Sequence, residues 1–222
     1  MKAMLWWGFR CLLRGIAYLG RVVYGLEAQG LEHLPRHGPV IILGRRISRV
    51  DFIAGALLMT ALEEFSGLTA AISLSNSRFI AWIARQLGIL ATLKGKSFSA
   101  ASLLEAYKLL QQGKILILPD EGEVPWDGRL QPLRSGVAWL ALRTQAAIVL
   151  VVVQGGYDIW PRWARRPHLT GKLVLKVGKP FRLCDAPYKR VTDGMLQEAN
   201  KQLVDRLKEL SAGYMIAQEN VG

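Results

Sequence analysis

Few residues of this 222-residue chain have the chemistry to move a proton or hold a metal. There are three histidines, His33, His37 and His168, the residue type that titrates near neutrality and serves most often as a general base. The two cysteines, Cys11 and Cys184, lie far apart and in no metal-ligand spacing. They read as reduced thiols of a cytosol-facing protein, not as a disulfide framework. No zinc-ligand spacing and no Gly-x-Gly-x-x-Gly occurs, so neither a metal nor a dinucleotide is expected. Gly95-Lys96-Ser97 ends like a phosphate-binding loop, but the first glycine of that motif would fall at Leu90.

Cationic side chains are what the chain has in abundance. Its formal net charge is +12, unevenly spread. Residues 1–50 carry eight Lys/Arg against two acids, and residues 156–190 carry nine against two. Residues 51–155 are near balance. Two basic surfaces on a neutral body predict an anionic partner, either lipid headgroups or nucleic acid. One basic stretch, Trp160-Pro161-Arg162-Trp163-Ala164-Arg165-Arg166, interleaves tryptophan with arginine. Such a loop suits a membrane interface, where Trp160 and Trp163 would sit at headgroup depth. It also suits base stacking, or plain solvent exposure. No recognisable nucleic-acid module accompanies it, so nucleic acid is not the expected partner.

The elements that must position these groups begin with an N-terminal helix. On a helical wheel of residues 3–26, Arg10, Arg14 and Arg21 fall within about 40° of one another, with Ala17 among them. Around the rest stand Trp6, Trp7, Phe9, Leu12, Leu13, Ile16 and Leu19. A narrow arginine stripe on a wide apolar helix fits a bilayer interface, and the adjacent tryptophans favour it. The other reading is a helix packed on the domain's own core. No run is long enough to span a bilayer: the longest uncharged one, Thr144 to Tyr157, has 14 residues where about 20 are needed. The arginines also argue against a signal peptide.

Beyond it, hydrophobic fraction (51 %) and length predict one domain with a sizeable core. The organisation expected is an interfacial helix over 1–27 and an α/β domain over 28–222. Strands are predicted at Val40–Leu43, Leu68–Leu74, Ile89–Leu93, Ile115–Leu118, Ala147–Val153 and Leu173–Val177. Helices are predicted from Asp51, a candidate N-cap, to Leu62, and over Arg78–Leu87, Ser97–Gln112, Ser135–Arg143 and Thr192–Leu210. Strands apolar on both faces and alternating with helices predict a largely parallel sheet covered on both sides, with functional groups beyond the strands' carboxyl ends.

Four landmarks in order resemble the glycerolipid acyltransferase family, over about residues 20–190. The lead-in Gly30-Leu31-Glu32-His33-Leu34-Pro35-Arg36-His37-Gly38-Pro39-Val40 is similar to that family's Gly-Leu-Glu-x-Leu-Pro-x-x-Gly-Pro-Val. Where the family has Asn-His-x-Ser-x-x-Asp, this chain has Arg45-Arg46-Ile47-Ser48-Arg49-Val50-Asp51. Gly88 to Lys94 resembles the second landmark, which ends in a basic residue that meets phosphate. Leu118-Pro119-Asp120-Glu121-Gly122-Glu123-Val124 resembles Phe-Pro-Glu-Gly-Thr-Arg, with one extra residue and without the arginine. Ile148-Val149-Leu150-Val151 resembles the fourth landmark, without its proline.

The resemblance implies that a histidine takes the proton from a lysophospholipid hydroxyl, which attacks an acyl thioester, while the aspartate holds the imidazole. Arg46 stands at the histidine's place, and a guanidinium stays protonated and offers no lone pair. Asp51 remains. His33 and His37 precede the first strand and would sit at its far end; His168, Asp120 or Glu121 would have to serve instead. Loss of a general base typically costs about 10²–10⁴-fold in rate. The resemblance therefore implies a divergent member without standard lysophosphatidate acylation, acting at a membrane surface by binding lipid, an acyl chain or a protein partner. The alternative is an active enzyme with a rearranged site, whose donor would be an acyl-CoA or acyl-carrier-protein thioester; no other cofactor is expected. Arg45, Arg46, Ser48, Arg49, Lys94 and Gly122 form the candidate anion site, or else the cations among them are solvated surface charges. An Arg46–Asp51 ion pair is expected. Localisation is expected to be peripheral or monotopic, on the cytoplasmic side.

Overall fold

A computed structural model describes residues 2–45, 48–62, 100–119, 133 and 135–211. The chain enters as α1 (Lys2–Tyr24) and runs through a short strand β1 (Glu27–Gln29) and a 3₁₀ turn (Leu31–His33) into β2 (Val40–Gly44) and α2 (Asp51–Ala61). After the undescribed stretch come α3 (Ala100–Gln111), β3 (Ile115–Pro119), α4 (Ser135–Thr144) and β4 (Ala147–Gln154). A four-residue helix α5 (Gly156–Ile159), β5 (Val174–Val177) and α6 (Asp193–Ser211) complete it. The strands expected at Leu68–Leu74 and Ile89–Leu93, and the helix at Arg78–Leu87, lie outside the described residues.

Five strands form one sheet in the order β1-β5-β4-β2-β3. β2 lies parallel to both β3 and β4, and β1 parallel to β5; β4 and β5 pair antiparallel. The sheet is thus largely parallel, as expected. Its alternation explains why β2, β3 and β4 read as unbroken apolar runs: each side chain enters one of two cores. Val40, Ile42, Ile117, Val149 and Val151 face the core shared with α1 and α2. Ile41, Leu43, Leu116, Leu118, Ile148 and Leu150 face the one shared with α3, α4 and α6.

Helix α1 packs on the domain's own core along one side and stands in solvent along the other. Leu13, Ala17 and Tyr24 are buried in the first core, with Trp6, Phe9, Ile16 and Val23 packed against it. A Cβ at Gly20 would overlap Ile53 of α2, so the two helices meet at a glycine contact. Ala17, which the wheel sets beside the arginines, therefore belongs to the buried edge. The opposite arc, about 140° at 100° per residue, holds Met4, Trp7, Leu12, Tyr18, Leu19 and Val22, which stand between 58 and 75 % exposed. The exposed Gly8, Cys11 and Gly15 fill the gaps, and no charge interrupts the arc. Arg10, Arg14 and Arg21 line one of its edges. Among the described residues, no helix is long and apolar enough to cross a membrane.

Candidate functional site

The carboxyl ends of β2 and β4 lie side by side, Gly44 opposite Val151, and the chain leaving β2 is held there by Arg45 N–H donating to the Val151 carbonyl (3.1 Å). The turn that follows is closed by two side chains. Ser48 N–H donates to Asp51 Oδ2 (2.8 Å), and Ser48 Oγ donates to Asp51 Oδ1 (2.6 Å). The same hydroxyl oxygen accepts from Val50 N–H (3.2 Å). Ser48 and Asp51 are buried, at 0 and 5 % exposure. Such bonds to an ionised carboxylate contribute about 1.5–3 kcal/mol each. Asp51 is not an N-cap: it is the first helical residue, Val50 holds the cap position without a side-chain bond, and the carboxylate reaches back to the turn.

The exit of β4 holds two glycines that charge and motif reading passed over, and the second of them lies against this turn. Gly155 is left-handed (φ 84°), and a Cβ there would overlap the Lys172 carbonyl. A Cβ at Gly156 would overlap Asp51 Oδ1 and Ser48 Oγ. The visible signal is a Gly-Gly pair directly after an apolar strand, the place where backbone must approach closely.

Arg49 faces the next loop. Its N–H donates to the Trp160 carbonyl (3.1 Å), its Nη1 to the Ala164 carbonyl (3.4 Å), and its guanidinium lies 5.9 Å from the Trp160 ring centre. Trp160 Nε1 donates to the same Ala164 oxygen (3.2 Å). Trp160 is half-buried against the first core, whereas Trp163 stands 60 % exposed.

The fold thus brings Arg45, Ser48, Arg49 and Asp51 together. Arg46, Lys94, Glu121 and Gly122 lie outside the described residues, and with them the Arg46–Asp51 pair. Arg45 is buried (5 % exposed). Asp120, another base candidate, also lies outside the described residues. His33 Nδ1–H donates to the Val177 carbonyl (3.0 Å), and His37 precedes the amino end of β2. His168 is exposed in the loop after α5. Burial pushes the Cys184 thiol up, with Asp185 adding to the effect, which disfavours a thiolate nucleophile. No group of three or more potential metal ligands occurs among the described residues.

The architecture is a helix-flanked, largely parallel sheet with the Ser48–Asp51 turn beyond β2. Among solved structures, the chain is similar to the 1-acyl-sn-glycerophosphate (LPA) acyltransferase PlsC of Thermotoga maritima. The TM-score is 0.62 at 20 % identity, covering 90 % of this chain and 80 % of that one. Among curated proteins, it is 24 % identical over 207 residues to human 1-acyl-sn-glycerol-3-phosphate acyltransferase alpha, covering 90 % of this chain and 66 % of that protein. The mouse counterpart is 23 % identical over 174 residues, covering 76 % and 60 %. The chain therefore spans less than two thirds of the length of these relatives. No protein-family model matches it. The weak homology and the shared fold support a glycerolipid acyltransferase-like family for this chain.

Proposed function

We propose that this protein works at a membrane surface by binding lipid, an acyl chain or a protein partner through an acyltransferase-like scaffold, without standard lysophosphatidate acylation. The observation that carries the reading is the outer arc of α1. Six large apolar side chains stand in solvent on one uncharged face, edged by three arginines and without an acid in the helix. A soluble surface scatters such residues singly; a continuous apolar patch marks an interaction site, and the arginine edge selects an anionic one. Each arginine near an anionic bilayer contributes about 1 kcal/mol.

The chemistry of the first landmark supports binding over turnover. Asp51 is the residue that would orient a histidine base, and Arg46 holds that base's place in the sequence. Both Asp51 oxygens accept from Ser48, which makes the carboxylate the closing element of the turn. The changed third landmark, with Glu123 and Val124 where the family has Thr and Arg, removes a cation from the acceptor's phosphate.

The test is acyl transfer by the purified protein, with acyl-CoA and acyl-carrier-protein donors and a panel of lysolipids, beside an Arg46→His variant. The expected result is no product from the native protein; steady turnover by the native protein would overturn the reading. Turnover gained by Arg46→His would show that the missing base alone silences the site.

A further inference from the structure

We propose that the loop over residues 161–172, together with Phe52, is a second lipid-contacting element that seats the Ser48–Asp51 turn itself at the surface of an anionic bilayer. The inference rests on the reading that α1 lies on a membrane, and it adds where the site stands relative to that membrane. Within the loop, Trp163 is 60 % and Leu169 77 % exposed, the latter slightly more than Met4 of α1 at 75 %. Phe52, next to Asp51, is 54 % exposed. Arg165 and Arg166 stand exposed between the two apolar residues. Apolar tips with arginines between them match the layering of an interface, acyl region within and phosphates above.

The loop's anchors decide that these residues act with α1 and with the site. At its start, Arg49 binds the Trp160 and Ala164 carbonyls, one residue from Ser48. At its end, Leu173 N–H donates to the carbonyl of Tyr24, the last residue of α1 (3.0 Å). Between them, His168 N–H donates to the Ile159 carbonyl (2.8 Å), and Gly171 (φ 143°) permits the chain to lie against Ile159, where a Cβ would come within 2.6 Å. The loop is thus tied from the carboxyl end of α1 to the Ser48–Asp51 turn. Its anchors Trp160 and Leu173 belong to the same core as α1. Arg49 acts here as a positioning residue that joins site and loop.

The native thiols allow the two surfaces to be read separately. Cys11 is exposed in the middle of the α1 arc, and Cys184 is half-buried in the other layer. A polarity-sensitive fluorophore on Cys11, in a Cys184→Ala background, reports α1. The same fluorophore on a Leu169→Cys variant, in a Cys11→Ser/Cys184→Ala background, reports the loop. With vesicles of phosphatidylcholine and phosphatidylglycerol, both labels are expected to shift to the blue and brighten severalfold. Replacing Arg49 with Met should weaken the shift at position 169 while leaving that at Cys11. A Cys11 shift with an unchanged label at 169 overturns this proposal and leaves the α1 reading standing. Silence at Cys11 overturns both. A shift at 169 that follows protein concentration without vesicles assigns the loop to a second copy and overturns the proposal.

Discussion

Helices α1 and α6 solve the same packing problem and present opposite faces to their surroundings. Each lays one stripe on the sheet's covering layer: Leu13, Ala17 and Tyr24 in α1, Ala199, Leu203 and Leu207 in α6. The outward face of α6 carries Glu198, Lys201, Asp205, Arg206, Lys208 and Glu209. That is the polar face water requires. The outward face of α1 carries Met4, Trp7, Leu12, Tyr18, Leu19 and Val22, with its arginines confined to one edge. Packing against the domain therefore accounts for half of α1 only. The proposed function assigns the other half to an anionic membrane surface.

The sharpest contrast is between inner and outer leucines. Leu203→Ala in α6, at 0 % exposure, should lower stability by about 2–5 kcal/mol in denaturant unfolding. Vesicle binding measured on the folded variant should be unchanged. Replacing Arg10, Arg14 and Arg21 together with Gln should weaken binding to anionic vesicles about a hundredfold, at about 1 kcal/mol each. On neutral vesicles it should change binding little, and equal losses on both would break the electrostatic part of the comparison.

Gly156→Ala tests the site, where α2 and the exit of β4 are in contact. A methyl has no room against Asp51 and Ser48, so unfolding should lose about 1–3 kcal/mol. An unchanged stability would mean that the two turns are not held together as described. The smallest effect is expected from Leu12→Ser with Leu19→Ser: because both are exposed, stability should move within about 0.5 kcal/mol.

How far the sequence discloses all this depends on what each residue touches. β2, β3 and β4 are legible because both of their faces are covered, which leaves no polar residue to interrupt the run. The polar β1, Glu-Ala-Gln, is legible only through its partner β5, since an edge strand of three residues has no apolar signature. Arg49 and Trp160 read as an anion ligand and an interfacial tryptophan because sequence shows charge and ring but not neighbours. In the fold they bind one loop together. Asp51 shows the same limit: a residue at a helix start reads as a cap, whereas its carboxylate is drawn back by Ser48. Gly155 and Gly156 carry no chemistry of their own, and their meaning emerges only when β4 is placed beside β2. The arc of α1 was visible on the wheel, but its buried edge at Ala17 needed α2.

The most direct test of the account is sedimentation with phosphatidylcholine/phosphatidylglycerol vesicles, comparing the native protein with a Trp7→Gln, Leu19→Ser, Val22→Ser variant. The account predicts that the native protein pellets with the vesicles. The variant, with an unchanged unfolding midpoint, should stay in the supernatant. A native protein that stays in solution, or a variant that pellets equally well, would contradict it.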